Sequence, residues 1–510
     1  MVRGGHWRSD AVPLQKRHCN ARASAVNALS LISRRSRRMS SNPFRASTVV
    51  PLLLLAAAVI ASFMASSGPV QWMDNGMFLA NASEGPYFSQ SLGPLEHPLY
   101  QLLNAVVFTL FGAKPLSLLN SMLLPLAWVI YRLARNVGAS ARQAVLAGVA
   151  TILAHGVFWV STKAEVYLLH TLFVLLAYAL YFSRSARLGA LKKLFVIGVL
   201  TGLAASIHQL TFVVLLPLYL HMLYQHKARV LITLPGFVLG FAAAAVAVIN
   251  DLNAGMGLLD IARRYLTGAS ATVAGPEWES SLLRFDALWR ERNAVALLLL
   301  SLIGPQLIGL LMFPRDNRLR LLWSAALLNL LFALSYNVTD RFTFFLPGVA
   351  LLSVIGMIQL RILLPRPTAR STVLNLSTLS SPLVMLLAYS LYASGVIRLP
   401  LHKEALPLRD DIHYFMVPYL RDRSAEQFVR AYQEFVPDRA LIIADWTPMG
   451  ALRSAQTAGL LRGRRLATCD ENVDVRGYAG AYLVRLSYCA TIAGEFRLEE
   501  QPVGYALHSK

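Results

Sequence analysis

Eleven stretches of this chain carry almost nothing but apolar side chains, each over a length close to the roughly 17 to 25 residues that a helix needs to cross a bilayer. They fall near residues 49–66, 115–133, 143–159, 165–183, 193–207, 209–224, 229–249, 294–314, 319–336, 342–363 and 371–397. A chain built this way is a mainly α, polytopic membrane protein, in keeping with a mean hydropathy of +0.49 and only 15% charged residues. One further stretch, "LYQLLNAVVFTLFG" (Leu99 to Gly112), is short for a span. Its stripe of His97, Gln101 and Asn104 puts polar groups on one helical face, so the sequence predicts a helix lying along the membrane surface.

Charge orients the spans. With 99–112 left out of the count, five groups of cations fall on one side: Arg132, Arg135 and Arg142; Arg184, Arg187, Lys192 and Lys193; Lys227 and Arg229; Arg315, Arg318 and Arg320; Arg361, Arg366 and Arg370. The ten Lys and Arg of the first 48 residues join them, whereas the short loops opposite hold only Lys114, Lys163 and Arg341. Cytoplasmic loops retain cations. The N-terminus is therefore expected in the cytoplasm, and the loop "QWMDNGMFLANASEGPYFSQSLGPLEHPLY", which has no Lys or Arg, on the outer face. The same clustering accounts for a net charge of +21 without nucleic acid as a partner.

Residues 1–48 have no apolar run that could build a core and are expected to form a basic, disordered cytoplasmic leader. Their Arg and Ser bias faintly suggests a transit peptide, and a start at Met39 is an equal alternative. The connection 250–293 and everything from about residue 399 share the outer side. This tail is soluble in composition. "AEQFVRAYQEF" reads as a helix and "ALIIAD" (Ala440 to Asp445) as a short strand, together predicting a small α/β domain. Cys469 and Cys489 pair there if the compartment is oxidising. No Walker motif, Gly-rich dinucleotide loop or metal-type Cys pair occurs, which leaves ATP-driven transport and redox chemistry without support.

Polar residues near span ends gather on the outer side: Asp74, Glu96 and His97 in the first loop; Lys163, Glu165 and Tyr167 in "STKAEVY"; His208 and Gln209 in "SIHQLT"; Asp340 and Arg341 in "YNVTDRF". Ionisable groups at such depth are costly unless paired or lining a wet cavity, so four loops converging read as a site. Each has a plainer reading. Asp74 is also a solvated loop carboxylate, Lys163 and Glu165 mark an interface, His208 is a hydrogen-bonded kink, Asp340 and Arg341 form a local ion pair of little worth, and Asp445 with Trp446 shapes a strand-end turn.

"MDNGMFLANA", "LEHPLYQLLNAVVFTLFG", "FWVSTKAEVYLLHTLFVLLAYAL", "GLAASIHQLTFVVLLP" and "LSYNVTDRFTFFLPGVALL" resemble, in this order, the GT-C membrane glycosyltransferases of the group that includes animal luminal protein O-mannosyltransferases and bacterial relatives. "VPDRALIIADWTPMGAL" is similar to the start of that group's C-terminal domain, and the likeness spans most of residues 70–460. The chain departs from the pattern at Met77, where the group tends to carry an acid, and at His97-Pro98, where the group has a longer Pro-Gly-containing motif.

The resemblance implies a sugar delivered on a polyprenyl phosphate, with Asp74 as the base that takes the acceptor hydroxyl's proton. His97, Lys163, His208 and Arg341 are then the groups available to the departing phosphate, and Glu165 orients Lys163 or binds a sugar hydroxyl. Glu96, Tyr167, Gln209 and Asp340 complete the expected substrate-binding set. One base without a covalent intermediate implies inversion. The acceptor is a protein, glycan or lipid, membrane lipids are partners, and nucleic acid is not. No cofactor is implied, and a divalent metal held by Asp74 and a histidine stays open, although no ligand spacing argues for it. The lipid tail of the donor is expected between spans, walled by helix 99–112, and the tail beyond 400 is expected to select the acceptor.

The expected organisation is a leader over 1–48, a transmembrane GT-C domain over 49–398 with a first outer loop 67–114 and an outer connection 250–293, and an extracytoplasmic domain over 399–510. The rival reading is a transporter or flippase, which would place polar residues near the bilayer midplane on paired or broken helices. A non-catalytic assembly subunit is a third.

Overall fold

The computed structural model describes residues 46–66, 68–84, 97–112, 122–184, 188–267, 282–288, 292–338, 341–364, 367–396, 406, 409, 422–469, 471, 474–486 and 488–510. Expectations for most of the leader, for Glu96 and for Asp340 fall outside them.

Helices dominate up to residue 393. In chain order they are α1 (Ala46–Ala65), α2 (Met73–Glu84), α3 (Pro98–Phe111), α4 (Leu123–Asn136), α5 (Ala141–Ile152), α6 (His155–Ser161), α7 (Tyr167–Tyr181), α8 (Ala190–Ala205) and α9 (Leu210–His226). Then follow α10 (Thr233–Gly240), α11 (Ala242–Asn253), α12 (Leu258–Thr267), α13 (Arg292–Leu302), α14 (Pro305–Leu311), α15 (Asn317–Ser335), α16 (Leu346–Leu363) and α17 (Pro367–Ala393). Among the described residues four helices are long and apolar enough to cross a membrane, and up to six spans result if each of two bent pairs counts as one. The bends interrupt runs that read as continuous. α5 and α6 meet at 70°, and α11 turns 66° from the stretch before it. The 294–314 run is split where Gly304, at a φ of 111°, precedes Pro305 at the first turn of α14.

Small residues decide how closely the helices approach. Gly198 and Gly202 of α8 face Gly236 and Gly240 of α10, a GxxxG on each side. A Cβ at any of the four would lie 2.1–2.2 Å from a backbone carbonyl oxygen of the other helix. Without a hydrophobic drive inside lipid, such backbone contact is what holds two helices together.

Helix α3 is two-faced. Its polar side chains Gln101 and Asn104 are buried in the protein, at 2% and 0% exposure, while Leu102, Val106, Leu110 and Phe111 are 40–67% exposed.

The tail forms the small α/β domain that the sequence predicts: α18 (Ser424–Phe435), β1 (Leu441–Ala444), α19 (Trp446–Thr457), β2 (Arg465–Thr468), β3 (Ala481–Leu483), α20 (Ala490–Glu495), β4 (Arg497–Glu500) and β5 (Tyr505–His508). The sheet order is β2-β1-β3-β5-β4, with β1 parallel to both neighbours and the last two strands antiparallel. β1 is buried throughout because its alternating side chains feed two cores. Ile442 and Ala444 join the core that runs on through Phe428, Leu452 and Trp72 into the helices, while Leu441 and Ile443 join Leu483, Leu507 and Cys489 on the other face. Cys469 and Cys489 are disulfide-bonded, with Cα atoms 5.2 Å apart.

Candidate active site

The site is assembled on the first turn of α2. Gln71 and Asn75 flank Asp74 in sequence, and both grip the loop between α6 and α7. Gln71 Oε1 accepts the Ala164 amide proton at 3.0 Å, and Asn75 Nδ2 donates to the Ala164 carbonyl at 2.8 Å and to Glu165 Oε1 at 2.9 Å. The loop so held carries Lys163, 2% exposed, its Nζ 4.5 Å from the centre of the Trp159 ring. Burial lowers the Lys163 pKa to about 8, against the pull of Asp422 and Glu165, while Arg409 pushes the same way as burial. Glu165 accepts from the Val166 amide at 3.0 Å through its second oxygen. It serves the loop as well as the lysine.

Asp74 is half-buried, and enclosure by protein raises its pKa against the opposing effect of one hydrogen bond, donated by Trp446 Nε1. That bond comes from the tail. Asp445 caps α19 by accepting from the Thr447 amide at 3.2 Å, and is itself gripped by Arg485, whose Nε lies 2.9 Å from Oδ2. Trp446 is thus locked at the first position of α19 and aimed at Asp74, a larger role than the strand-end turn expected of it. α19 comes close enough because two glycines meet: a Cβ on Gly450 would lie 2.0 Å from the Met73 carbonyl oxygen, and one on Gly76 2.2 Å from the Gly450 carbonyl oxygen. Met73 and His97 both sit in the left-handed region, at φ 52° and 58°. Such strain in non-glycine residues is held only where surrounding packing over-determines it.

Phe78, one turn beyond Asp74, connects this carboxylate to a histidine cluster. Its ring meets His97 at 5.7 Å and Tyr100 at 5.1 Å, both edge-on. His97 stacks on His208 at 5.3 Å, and His208 in turn contacts His170 at 5.8 Å, Tyr167 at 5.4 Å and Phe344 at 5.3 Å. Hydrogen bonds fix the tautomers. The Ile207 carbonyl can only accept, so His97 Nδ1, 2.6 Å away, carries the proton. His208 Nδ1 accepts from the Leu210 amide at 3.0 Å, so its proton is on Nε2. Thr211 gives its hydroxyl proton to the His208 carbonyl and so receives one from His170 Nε2 at 2.9 Å, leaving His170 Nδ1 a bare, buried acceptor without a partner. Burial lowers the His97 pKa to about 4. With its proton on Nδ1, held by the Ile207 carbonyl, neutral His97 offers its other ring nitrogen as an acceptor.

Arg341 is fully buried and turned onto its own chain: Nε donates to the Val338 carbonyl at 3.1 Å, Nη1 to the Leu334 carbonyl at 3.5 Å and Nη2 to Asn337 Oδ1. It closes the C-terminal end of α15, and its neighbour Phe342 packs against Trp159 at 5.3 Å, beneath Lys163. Gln209 lies beside His208, with a buried Oε1 that finds no hydrogen-bond partner. The structure therefore unites Asp74, Lys163, Glu165, Tyr167, His97 and His208 around α2, and ties Arg341 down at the edge. Missed from sequence were Gln71, Asn75, His170, Arg409, Asp422 and, as a contact of Asp74, Trp446. Only His170 had a visible signal, a histidine inside an apolar helix. Among the described residues no trio of His, Cys, Asp or Glu is grouped as a metal site, so the metal alternative gains no ligand set.

No family model and no curated protein matches the sequence. Solved structures do match the fold. ArnT from Cupriavidus metallidurans in the apo state superposes with a TM-score of 0.61 at 13% identity, over 91% of this chain and 98% of that one. The same protein bound to undecaprenyl phosphate gives 0.56 at 13% identity, over 89% and 97%. An Archaeoglobus fulgidus oligosaccharyltransferase aligns at 0.41 and 11% identity, over 82% and 63%. The match with ArnT covers nearly all of both chains, and this protein accordingly has the fold of ArnT, a membrane fold of the GT-C type.

Proposed function

We propose that this chain is an inverting glycosyltransferase that moves a sugar from a polyprenyl-phosphate donor to an acceptor hydroxyl on the outer face of its membrane. The observation that carries the reading is the α2 clamp: side chains on both sides of Asp74 hold the loop of the buried Lys163, which ties the helix of the carboxylate to the loop of the cation. The ArnT structure with undecaprenyl phosphate supports a lipid-linked donor. In the reaction the acceptor oxygen forms a bond to the anomeric carbon as the bond from that carbon to the phosphate oxygen breaks. The electron pair leaves with the phosphate, and Asp74 takes the hydroxyl proton. Lys163 and the Nε2 proton of His208 oppose the charge that builds on the phosphate. Trp446 positions Asp74 and limits the rise in its pKa.

Asp74→Asn keeps the Trp446 acceptor but cannot take a proton. Transfer of radiolabelled mannose or glucose from polyprenyl phosphate in reconstituted vesicles should fall by about 10³-fold, with the melting profile unchanged. Full activity in this variant removes the base. Orientation is tested separately: a cysteine at Tyr488 should react with an impermeant reagent from outside, and one at Leu188 only from inside. The reverse pattern overturns the outward site.

A further inference from the structure

The inward face of α3 is not explained by anything the clamp or the histidine cluster does. Its polar groups are among the most deeply buried in the protein, with Tyr100 1%, Gln101 2% and Asn104 0% exposed. Tyr100 and Asn104 lie one helical turn apart on one face, with Gln101 three residues before Asn104. The Tyr100 hydroxyl lies toward Asn104, yet that hydroxyl, Gln101 Oε1 and both polar atoms of the Asn104 amide lack a partner in hydrogen-bond geometry. Nearby, His170 Nδ1 and Thr171 Oγ1, each 0–1% exposed, are in the same condition. Buried polar atoms in native proteins are nearly all satisfied, because an unmet one costs about 1–3 kcal/mol. A row of them on one helix therefore indicates something that occupies the face when the protein works.

The row begins at the site. Leu99 N donates to the Ser206 carbonyl at 3.1 Å and His97 Nδ1 to Ile207, which pins the start of α3 to the loop that carries His208. The Tyr100 ring touches Phe78, one turn from Asp74, and the Glu165 carboxylate bears on its hydroxyl. From there the stripe runs about 6 Å along the helix to Asn104. Its groups are a phenol and two amides, all uncharged, and an amide offers two donors and an acceptor in one plane, a match for adjacent hydroxyls. An amino sugar would need a free carboxylate, and the oxygens of Glu165 already take hydrogen bonds from Asn75 and the Val166 amide. A polyprenyl tail would leave the stripe as unsatisfied as before.

We infer that the buried face of α3, through Tyr100, Gln101 and Asn104, is the subsite for the donor's sugar, and that it takes an uncharged, hydroxyl-bearing one. This rests on the donor proposed above and adds an inward role to helix 99–112, which is expected to wall the lipid tail. The wall fits only its outward apolar stripe.

The test is binding to the full chain in nanodiscs, followed by tryptophan fluorescence. The probes are undecaprenyl phosphate, the same lipid carrying mannose or glucose, and the same lipid carrying an amino sugar. The wild type should hold one of the neutral sugar lipids at least tenfold more tightly than the bare lipid, and more tightly than the amino-sugar lipid. Gln101→Met and Asn104→Leu, singly, should each remove about threefold to tenfold of that advantage, while binding of bare undecaprenyl phosphate stays as it was. If a variant does not fold, the other is read in the same way, and Tyr100→Phe, which deletes one oxygen, serves as a third. An undiminished advantage in the variants means that internal water satisfies the stripe, and overturns the inference. So does an equal loss for bare and sugar-bearing lipids, or a preference for the amino sugar. A wild type that ignores even bare undecaprenyl phosphate brings down the proposed function itself, and the subsite with it.

Discussion

Two short helices, α2 and α3, stand side by side between α1 and α4 and bury polar side chains to opposite ends. On and beside α2, polar groups are met by distant parts of the chain: Gln71 and Asn75 by the Ala164 loop, Trp72 by Ser424 at 2.9 Å, Asp74 by Trp446. On α3, Tyr100, Gln101 and Asn104 are just as deeply buried and are not met. The first pattern belongs to an element that organises the protein, and the second to one that awaits a ligand. Substitutions of the α2 groups that grip other parts of the chain should therefore cost stability and function together, whereas Asp74→Asn, which keeps its acceptor, and those on α3 should cost function alone.

The largest effect is expected where α2 meets the tail. Gly450→Val puts side-chain carbon where the Met73 carbonyl oxygen already lies, with only backbone to yield, and should destabilise the detergent-solubilised protein by about 3 kcal/mol. A melting temperature equal to wild type would show that the tail domain does not depend on α2. Next comes the pH profile of transfer. Asp74 acts ionised, and its pKa lies above the ordinary carboxylate range, so activity falls as pH drops through that raised value. Lys163 acts protonated, with a pKa near 8, so activity also falls as pH climbs through about 8. His97, near 4, contributes no limb around neutrality.

Trp446→Phe removes the hydrogen bond that holds the Asp74 pKa down. It should lower kcat about tenfold and move the acid limb upward, while Lys163→Met should abolish the alkaline limb. An acid limb that stays in place in the Trp446 variant would make that contact incidental. The smallest effects sharpen the contrast directly. Asn75→Leu takes a donor from the Ala164 carbonyl and from Glu165 and should cost about 1–3 kcal/mol of stability in the ligand-free protein, whereas Gln101→Met, which strands nothing, should stay within about 0.5 kcal/mol. Equal losses in thermal unfolding would erase the distinction between the two helices.

Much of the candidate site was legible. Asp74, Lys163, Glu165 and His208 stand out because ionisable residues at the ends of apolar runs are conspicuous. What holds them was not legible. Trp446 reaches Asp74 from 372 positions away, and Gln71 meets Ser454 from 383 away; neither residue type nor spacing announces such a contact. The charge of Arg341 was visible in the sequence, while the carbonyls of Leu334 and Val338 to which it donates were not. The stripe on α3 is visible in the sequence but its burial is not, since periodicity reports that polar groups share a face but not what that face meets.

The amino-acid order alone determined the membrane class and the helix and strand that open the tail domain, because hydropathy and periodicity are properties of neighbours. Only the tertiary structure decided which buried polar groups are satisfied and which are left for a ligand, where long apolar runs bend, and that the tail sits on Asp74. These depend on partners brought together from hundreds of residues apart, and a hydrogen bond is made or lost within a fraction of an ångström.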